Sequence, residues 1–184
     1  MIETSQSVRV AAPLELAWNY ARDVDRWAQI MPGYQACEIT DADNSVWTLK
    51  VGVGGLVRTV KVAVHVTRWA GPQEVDFAFR LLGDPVEGAG SYRAAADGDG
   101  TAITLAVQVR GSGPMAPMWE AMGGPVLPRF ARSFAEDLKA RIEAETGAAG
   151  AAPRSAGDDA RASASGPSVS LIARMLAWLR RLFR

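Results

Sequence analysis

The chain has 184 residues, and its 20 lysines and arginines balance 20 aspartates and glutamates to a formal charge of zero. That length suits one ordinary domain with an appendage, and a hydrophobic content of 48% is enough for a real core. A single cysteine, Cys37, and a single histidine, His65, exclude a disulfide framework, clustered thiolate ligands for zinc or iron–sulfur, and paired-histidine metal motifs.

Residues 2–11 read as a strand ended by Pro13. From Leu14 onward, apolar residues fall at Leu14, Ala17, Trp18 and Ala21, which is helical spacing. Asp23 is placed to cap a second short helix carrying Val24, Trp27 and Ile30, and Met31-Pro32-Gly33 stops it. A meander follows over 36–41, 46–53, 57–69, 74–82, 88–96 and 101–110, its segments separated by aspartate-, glycine- and proline-rich turns. Alternation is clearest where Val60, Val62, Val64 and Val66 share one face opposite Lys61, Ala63, His65 and Thr67. It recurs as Val75, Phe77, Phe79, Leu81 and as Ile103, Leu105, Val107, Val109, the mark of an antiparallel sheet with one covered face.

Residues 111–128 interrupt the pattern with glycines, prolines and methionines. A longer helix is expected from about Val126 to Glu145, its Leu127, Phe130, Phe134, Leu138 and Ile142 covering the sheet, with Gly147 placed to end it. Residues 147–167 hold no aromatic and no large aliphatic side chain, so a mobile linker is expected. The charge also divides here. Residues 1–146 carry 14 basic and 18 acidic groups, and residues 147–184 carry 6 basic and 2 acidic.

The last segment, 168–184, is amphipathic. At ~100° per residue, Leu171, Ile172, Met175, Leu176, Trp178, Leu179, Leu182 and Phe183 fall within an arc of roughly 160°. Arg174, Arg180, Arg181 and Arg184 occupy the other side. A helix of that length reaches only about 26 Å and holds four arginines, which suits the surface of an anionic membrane and disfavours a span. The same pattern fits a helix docked on the protein's own body or on a partner protein. The N-terminus lacks the basic start and apolar stretch of a secretory signal, and no apolar run approaches ~18–20 residues. The expected location is therefore cytoplasmic, peripheral on the inner face of the cell membrane.

One strand, two short helices ending in Pro-Gly, six further strands and a long closing helix is the α+β helix-grip order, in which a curved antiparallel sheet wraps a C-terminal helix. Trp18 in the first helix, Ile30-Met31-Pro32-Gly33 at the end of the second and Gly88-Ala89-Gly90-Ser91 in a later strand narrow the match. Over roughly residues 2–145 the chain resembles the carbon monoxide dehydrogenase G-subunit family, a START-like branch related to polyketide cyclases. It departs from that family in having Tyr34 after Pro-Gly, where cysteine is frequent, and in the broken 111–128 stretch. The resemblance implies a non-catalytic accessory protein of a carbon monoxide dehydrogenase-type molybdenum hydroxylase, handling a hydrophobic small molecule such as a quinone. The expected organisation is a helix-grip domain over 1–146, a linker over 147–167 and a membrane-surface helix over 168–184.

The expected ligand cavity is lined by Trp47, Val62, Val64, Phe77, Phe79, Met115, Met118, Trp119, Met122, Leu127, Phe130 and Phe134. A stripe of large apolar residues equally describes solid core, which would make the protein a membrane adaptor with no cavity. A third reading is a polyketide cyclase or hydrolase, but the expected inward positions are almost wholly apolar. His65 has no nucleophile or orienting partner at a recognisable spacing, and Cys37 reads as a small buried group. The acidic turns at 41–44 and 97–100 lack the length and closing glutamate of a calcium loop. No dinucleotide fingerprint, Walker sequence or nucleophile elbow is present, no metal or covalent cofactor is expected, and an acidic body argues against nucleic acid.

Overall fold

The computed structural model describes residues 1–53 and 56–150. The expected linker beyond residue 150 and the expected membrane helix, Leu171 to Arg184 included, lie outside the described residues. In chain order the elements are β1 (Ile2–Val10), α1 (Leu14–Ala21), α2 (Val24–Gln29), β2 (Tyr34–Ile39), β3 (Asn44–Val53), β4 (Leu56–Ala70), β5 (Glu74–Leu82), β6 (Val86–Asp97), β7 (Gly100–Gly111), α3 (Ala116–Gly123) and α4 (Leu127–Gly150). The strands form one antiparallel seven-stranded sheet in the order β1-β7-β6-β5-β4-β3-β2. Successive strands are neighbours, and β1 closes the order by pairing with β7, Ile2 opposite Val109 through Val10 opposite Thr101. This is the helix-grip architecture.

The local devices are those the residues demand. The Asp23 carboxylate accepts from the N–H groups of Asp25 and Arg26 at 3.1 and 3.4 Å, capping α2. Gly33 takes φ 81° and turns the chain into β2. A side chain there would collide with the Lys50 carbonyl, and the Gly33 carbonyl accepts from Lys50 N–H at 2.7 Å. Trp18 lies edge-on to Trp69, ring centroids 6.3 Å apart, and its indole covers Gly71 at the β4–β5 turn. Val60, Val62, Val64 and Val66 face the core, whereas His65 on the opposite side of β4 is exposed.

Two elements differ from expectation. The stretch around the three methionines forms a short helix, α3, with proline in its first turn, where a missing N–H costs nothing. The closing helix continues through Gly147 to Gly150. Gly147 is exposed with open space around it, so nothing turns the chain there, and alanines follow.

Helix α4 rests on the β1 side of the sheet. Lys139 Nζ donates to the Arg9 carbonyl at 2.9 Å, and Ala11 N–H donates to Glu143 Oε1 at 2.9 Å. Ala135, Leu138 and Ile142 on this half of the helix are buried, Leu138 fully, which contributes about 1.5–3 kcal/mol for such a side chain. Toward its N-terminus the same helix face, carrying Leu127, Phe130 and Phe134, is only half-buried. The core is thus closed at one end and open at the other.

Candidate functional site

The central strands set the floor of the open end. Gly88 pairs with Phe79 and Gly90 with Phe77 across the β5–β6 ladder, all four on the inner face. A Cβ added at Gly90 would lie 2.7 Å from Phe77 Cε2, and one at Gly88 2.9 Å from Phe79 Cε1. The phenyl rings therefore lie over the two glycines instead of standing off the sheet. Only glycine tolerates so close an approach, and flattened rings leave more room beneath the helix. Phe77 and Phe79 have ring centroids 6.5 Å apart and remain half-buried.

Phe77 below and Phe134 above converge on Trp27 of α2, at centroid distances of 5.8 and 6.1 Å, and Trp27 also touches Tyr92 at 6.0 Å. Phe77, Phe79 and Leu81 on β5 and Phe130 and Phe134 on α4 stay half-buried. Beside α3, Ile2, Val86, Val109, Trp119, Met122 and Val126 line a partly open cavity of about 150 Å³. That is smaller than the several hundred Å³ of a pocket for a drug-sized ligand.

Placement separates the expected lining residues into three groups. Trp47, Val62 and Val64 are buried in the core, and Trp47 Nε1 donates to Ser45 Oγ at 2.9 Å. Phe77, Phe79, Trp119, Leu127, Phe130 and Phe134 are half-buried at the sheet–helix gap. Met115, Met118 and Met122 lie at the surface, 50%, 41% and 37% exposed, and of the three only Met122 borders the cavity beside α3. They join Leu82 and Val57 in a set of exposed apolar side chains.

The inner face is less uniformly apolar than its alternation suggests. Thr4 and Gln6 share the face of Val8 and Val10 on β1, half-buried, with Gln6 opposite Leu105. Ser45 and Thr101 are buried and engaged, the latter donating to the Ala12 carbonyl at 2.8 Å. Two buried donors have no acceptor among the described residues: Trp27 Nε1 and the Tyr92 hydroxyl. Tyr92 is fully buried and Trp27 is 5% exposed. Burial pushes the Tyr92 hydroxyl far above its ordinary range, so it stays protonated. An unpaired buried donor costs about 1–3 kcal/mol, which makes this pair unusual.

The remaining titratable candidates are occupied with structure. Burial pushes the Cys37 thiol up to about 11, and nearby Asp25 adds to the shift. His65 Nδ1 lies 3.0 Å from Asn44 Oδ1 on the outer face. Asp41 accepts the N–H groups of Asp43 and Asn44, each at 2.9 Å, and its carboxyl is lowered by the Asp43 bond first. Asp97 and Asp99 bind Arg9 at 2.9 and 2.7 Å.

The outer face carries a feature that spacing along the chain does not reveal. Register aligns His65, Ala78, Ala89 and Gln108 in one row and Ala63, Arg80, Glu87 and Arg110 in the next. Between these rows runs an open groove of about 540 Å³ with an alanine floor. Glu87 is paired with Arg110, so charges of both signs stand side by side along it. Such an edge attracts neither sign of ligand strongly, and among the described residues the groove holds no grouping of nucleophile and base.

Comparison with known proteins agrees with the architecture. The family described as polyketide cyclase / dehydrase and lipid transport matches residues 1–143. A Streptomyces cyaneus protein described as a candidate polyketide cyclase is 27% identical over 48 residues, which is 26% of this chain and 32% of that protein. The chain therefore aligns with only about a third of that curated relative's length. A conserved protein from Geobacillus kaustophilus superposes with a TM-score of 0.68 at 17% identity, covering 78% of this chain and 97% of its own. The Zhui aromatase/cyclase from Streptomyces sp. R1128 superposes with a TM-score of 0.59 at 22% identity, covering 81% and 98% respectively.

Proposed function

Since the chain belongs to the polyketide cyclase / dehydrase and lipid transport family, we propose that its helix-grip domain, residues 1–146, binds a hydrophobic small molecule between the sheet and α4 without transforming it. The observation that carries this reading is the partial exposure of Phe77, Phe79, Leu81, Phe130 and Phe134 inside the grip. Each further 100 Å² of apolar surface that a ligand removes from water contributes about 2.5 kcal/mol.

The carrier reading is favoured over catalysis by where the reactive groups lie. The Cys37 thiol is held neutral, the Ser45 and Thr101 hydroxyls are committed to structural bonds, and His65 is on the far side of the sheet. A cyclase acting on an apolar polyketide is the competing reading. Thr4 and Gln6 on the inner face are the observation in its favour.

The resemblance to the carbon monoxide dehydrogenase G-subunit family extends the proposal. The ligand is then a quinone, and the partner is a carbon monoxide dehydrogenase-type molybdenum hydroxylase. The basic amphipathic segment 168–184 holds the domain on the anionic inner face of the cell membrane. A lipophilic acceptor stays in lipid while a soluble enzyme does not, and a tethered carrier raises the local concentration for repeated exchange.

Native mass spectrometry of the full chain isolated from its own membranes tests the binding step. The expected result is protein carrying a neutral lipophile, released on denaturation. Ligand-free protein whose melting temperature does not move with added quinone refutes it, and turnover of an added polyketide would transfer the protein to the cyclase reading. Removing residues 168–184 is expected to abolish sedimentation with anionic vesicles at low salt while the domain stays folded.

A further inference from the structure

The antiparallel order places the β3–β4 hairpin, the β5–β6 turn and the end of β7 at one end of the sheet, and α3 and the start of α4 follow from β7. Local bonds join these pieces. Arg58 at the start of β4 binds Asp84 in the β5–β6 turn at 2.9 and 3.0 Å. Ser112 N–H, leading into α3, donates to the Pro85 carbonyl at 2.8 Å. Five of the nine exposed large apolar side chains among the described residues lie here: Val57, Leu82, Met115, Met118 and Met122. No residue of α3 is buried, although Met118, Trp119 and Met122 take three of its eight positions. Apolar side chains gathered in this way mark a surface that meets another apolar surface.

The charge at this end runs against the charge of the rest of the domain. Lys50, Lys61, Arg80, Arg129 and Arg132 are exposed and form no ion pair among the described residues. The carboxylates nearest the apolar side chains are engaged: Asp84 with Arg58, Glu87 with Arg110, and Glu120 with the Met1 ammonium. Even with Glu3 and Glu38 of the edge strands added, the end holds seven cations against five carboxylates. The remainder of residues 1–146 holds seven against thirteen. Cations around an apolar centre complement an anionic lipid surface, where the charges sit in the headgroups and the methionines reach the acyl boundary. A protein partner anchors in pockets, and the cavity beside α3, about 150 Å³, takes little more than one side chain.

We infer that this end of the domain is itself a docking face for an anionic bilayer, with α3 and the β5–β6 turn seated in the headgroups. The contact needs neither residues 168–184 nor any particular ligand. It also sets an orientation, with the partly open cavity beside α3 turned toward lipid and the β2–β3 and β4–β5 turns toward water.

The test uses the full-length chain with Cys37→Ala and one new thiol carrying a nitrobenzoxadiazole label, either Met118→Cys in α3 or Ala42→Cys in the β2–β3 turn. Each protein is mixed with vesicles of phosphatidylcholine containing phosphatidylglycerol, and sedimentation is measured beside label fluorescence. The label at 118 is expected to brighten and shift to the blue, and the label at 42 to stay unchanged. Each basic residue near an anionic leaflet is worth about fivefold in partitioning, so Arg129→Glu with Arg132→Glu should weaken the domain's own lipid affinity by about 25-fold or more. The shift at 118 should then be lost, as it should on pure phosphatidylcholine. A label at 118 that stays in water on sedimented protein overturns the docking face and leaves the terminal tether standing. Equal responses at 118 and 42, or a shift at 118 indifferent to the charge reversal, overturn it as well. Protein that neither sediments nor responds overturns both the face and the tether.

Discussion

Phe77 rests against Gly90 on the inner face of the sheet, and Gly90→Ala tests that contact. At an ordinary strand position with room for a methyl group, replacing glycine by alanine stabilises by about 0.4–1 kcal/mol, because the unfolded chain loses freedom. At Gly90 the added carbon would stand 2.7 Å from Phe77 Cε2 and 3.0 Å from the Ala106 carbonyl oxygen. Carbon atoms in contact prefer ~3.5–4.0 Å, so the ring has to move by about 1 Å, away from the sheet. Overpacking of this kind costs about 1–3 kcal/mol, which reverses the sign to a net loss of about 1–2 kcal/mol.

The second arm repeats the substitution in a Phe77→Leu background, where no ring covers the glycine. There the loss should shrink to less than about 0.5 kcal/mol, giving a coupling of about 1–2 kcal/mol between the two positions. Urea unfolding measures it as a shift of midpoint at constant slope. Additive losses, or a stabilised Gly90→Ala single variant, would show that the ring does not rest on the glycine and that the flattened floor is not real.

Two further outcomes are expected. Asp23→Ala removes the acceptor at the start of α2 and should lower stability by about 1 kcal/mol, with Asp23→Ser largely restoring it; equal losses for both would mean the cap is not the source. Cys37, raised from 9.0 to about 11, should hold about a hundredfold less thiolate near pH 8 than an unperturbed thiol and react correspondingly slowly with iodoacetamide in the folded protein. The neutral form is the one favoured by folding, so its stabilising effect is complete below pH 9 and fades as pH rises toward 11. Rapid alkylation of native protein at pH 8 would contradict this.

Much of the framework is legible in the residues. The run from Val60 to Val66 names both the strand and its inner face, because a two-residue period has one buried solution. Asp23 and Gly33 declare a helix start and a turn for reasons that tertiary context does not alter. The broken segment before α4 misleads for a reason that is equally physical. Its prolines and glycines suggest irregular chain, yet Pro117 occupies the one helical turn where proline is harmless, and Met115, Met118 and Met122 already follow helical spacing.

The site is less legible. Gly88 and Gly90 identify themselves as seats for rings only once register sets Phe79 and Phe77 opposite them. Trp27 and Tyr92 are 65 positions apart in the sequence, and the lack of an acceptor at either is a property of the packed interior, invisible to spacing. Thr4 and Gln6 look like ordinary polar residues of an edge strand until the fold half-buries them on the inner face. The outer groove is assembled from single residues on adjacent strands, a transverse pattern that no window along the chain samples.

The place of β1 in the sheet has a consequence for how the molecule is made. As an edge strand its ladder partner is β7, with Ile2 opposite Val109 and Val10 opposite Thr101. During synthesis the first ten residues must wait until about a hundred more have left the ribosome before they can pair. The five hairpins from β2 to β7 need only short loops to close, whereas this last pairing closes nearly the whole domain, an entropic cost incurred late. Until then β7 presents an unpaired edge and Ile103 and Leu105 lack their cover. The nascent chain should therefore be most vulnerable to strand-mediated aggregation in the interval between completing β7 and capturing β1.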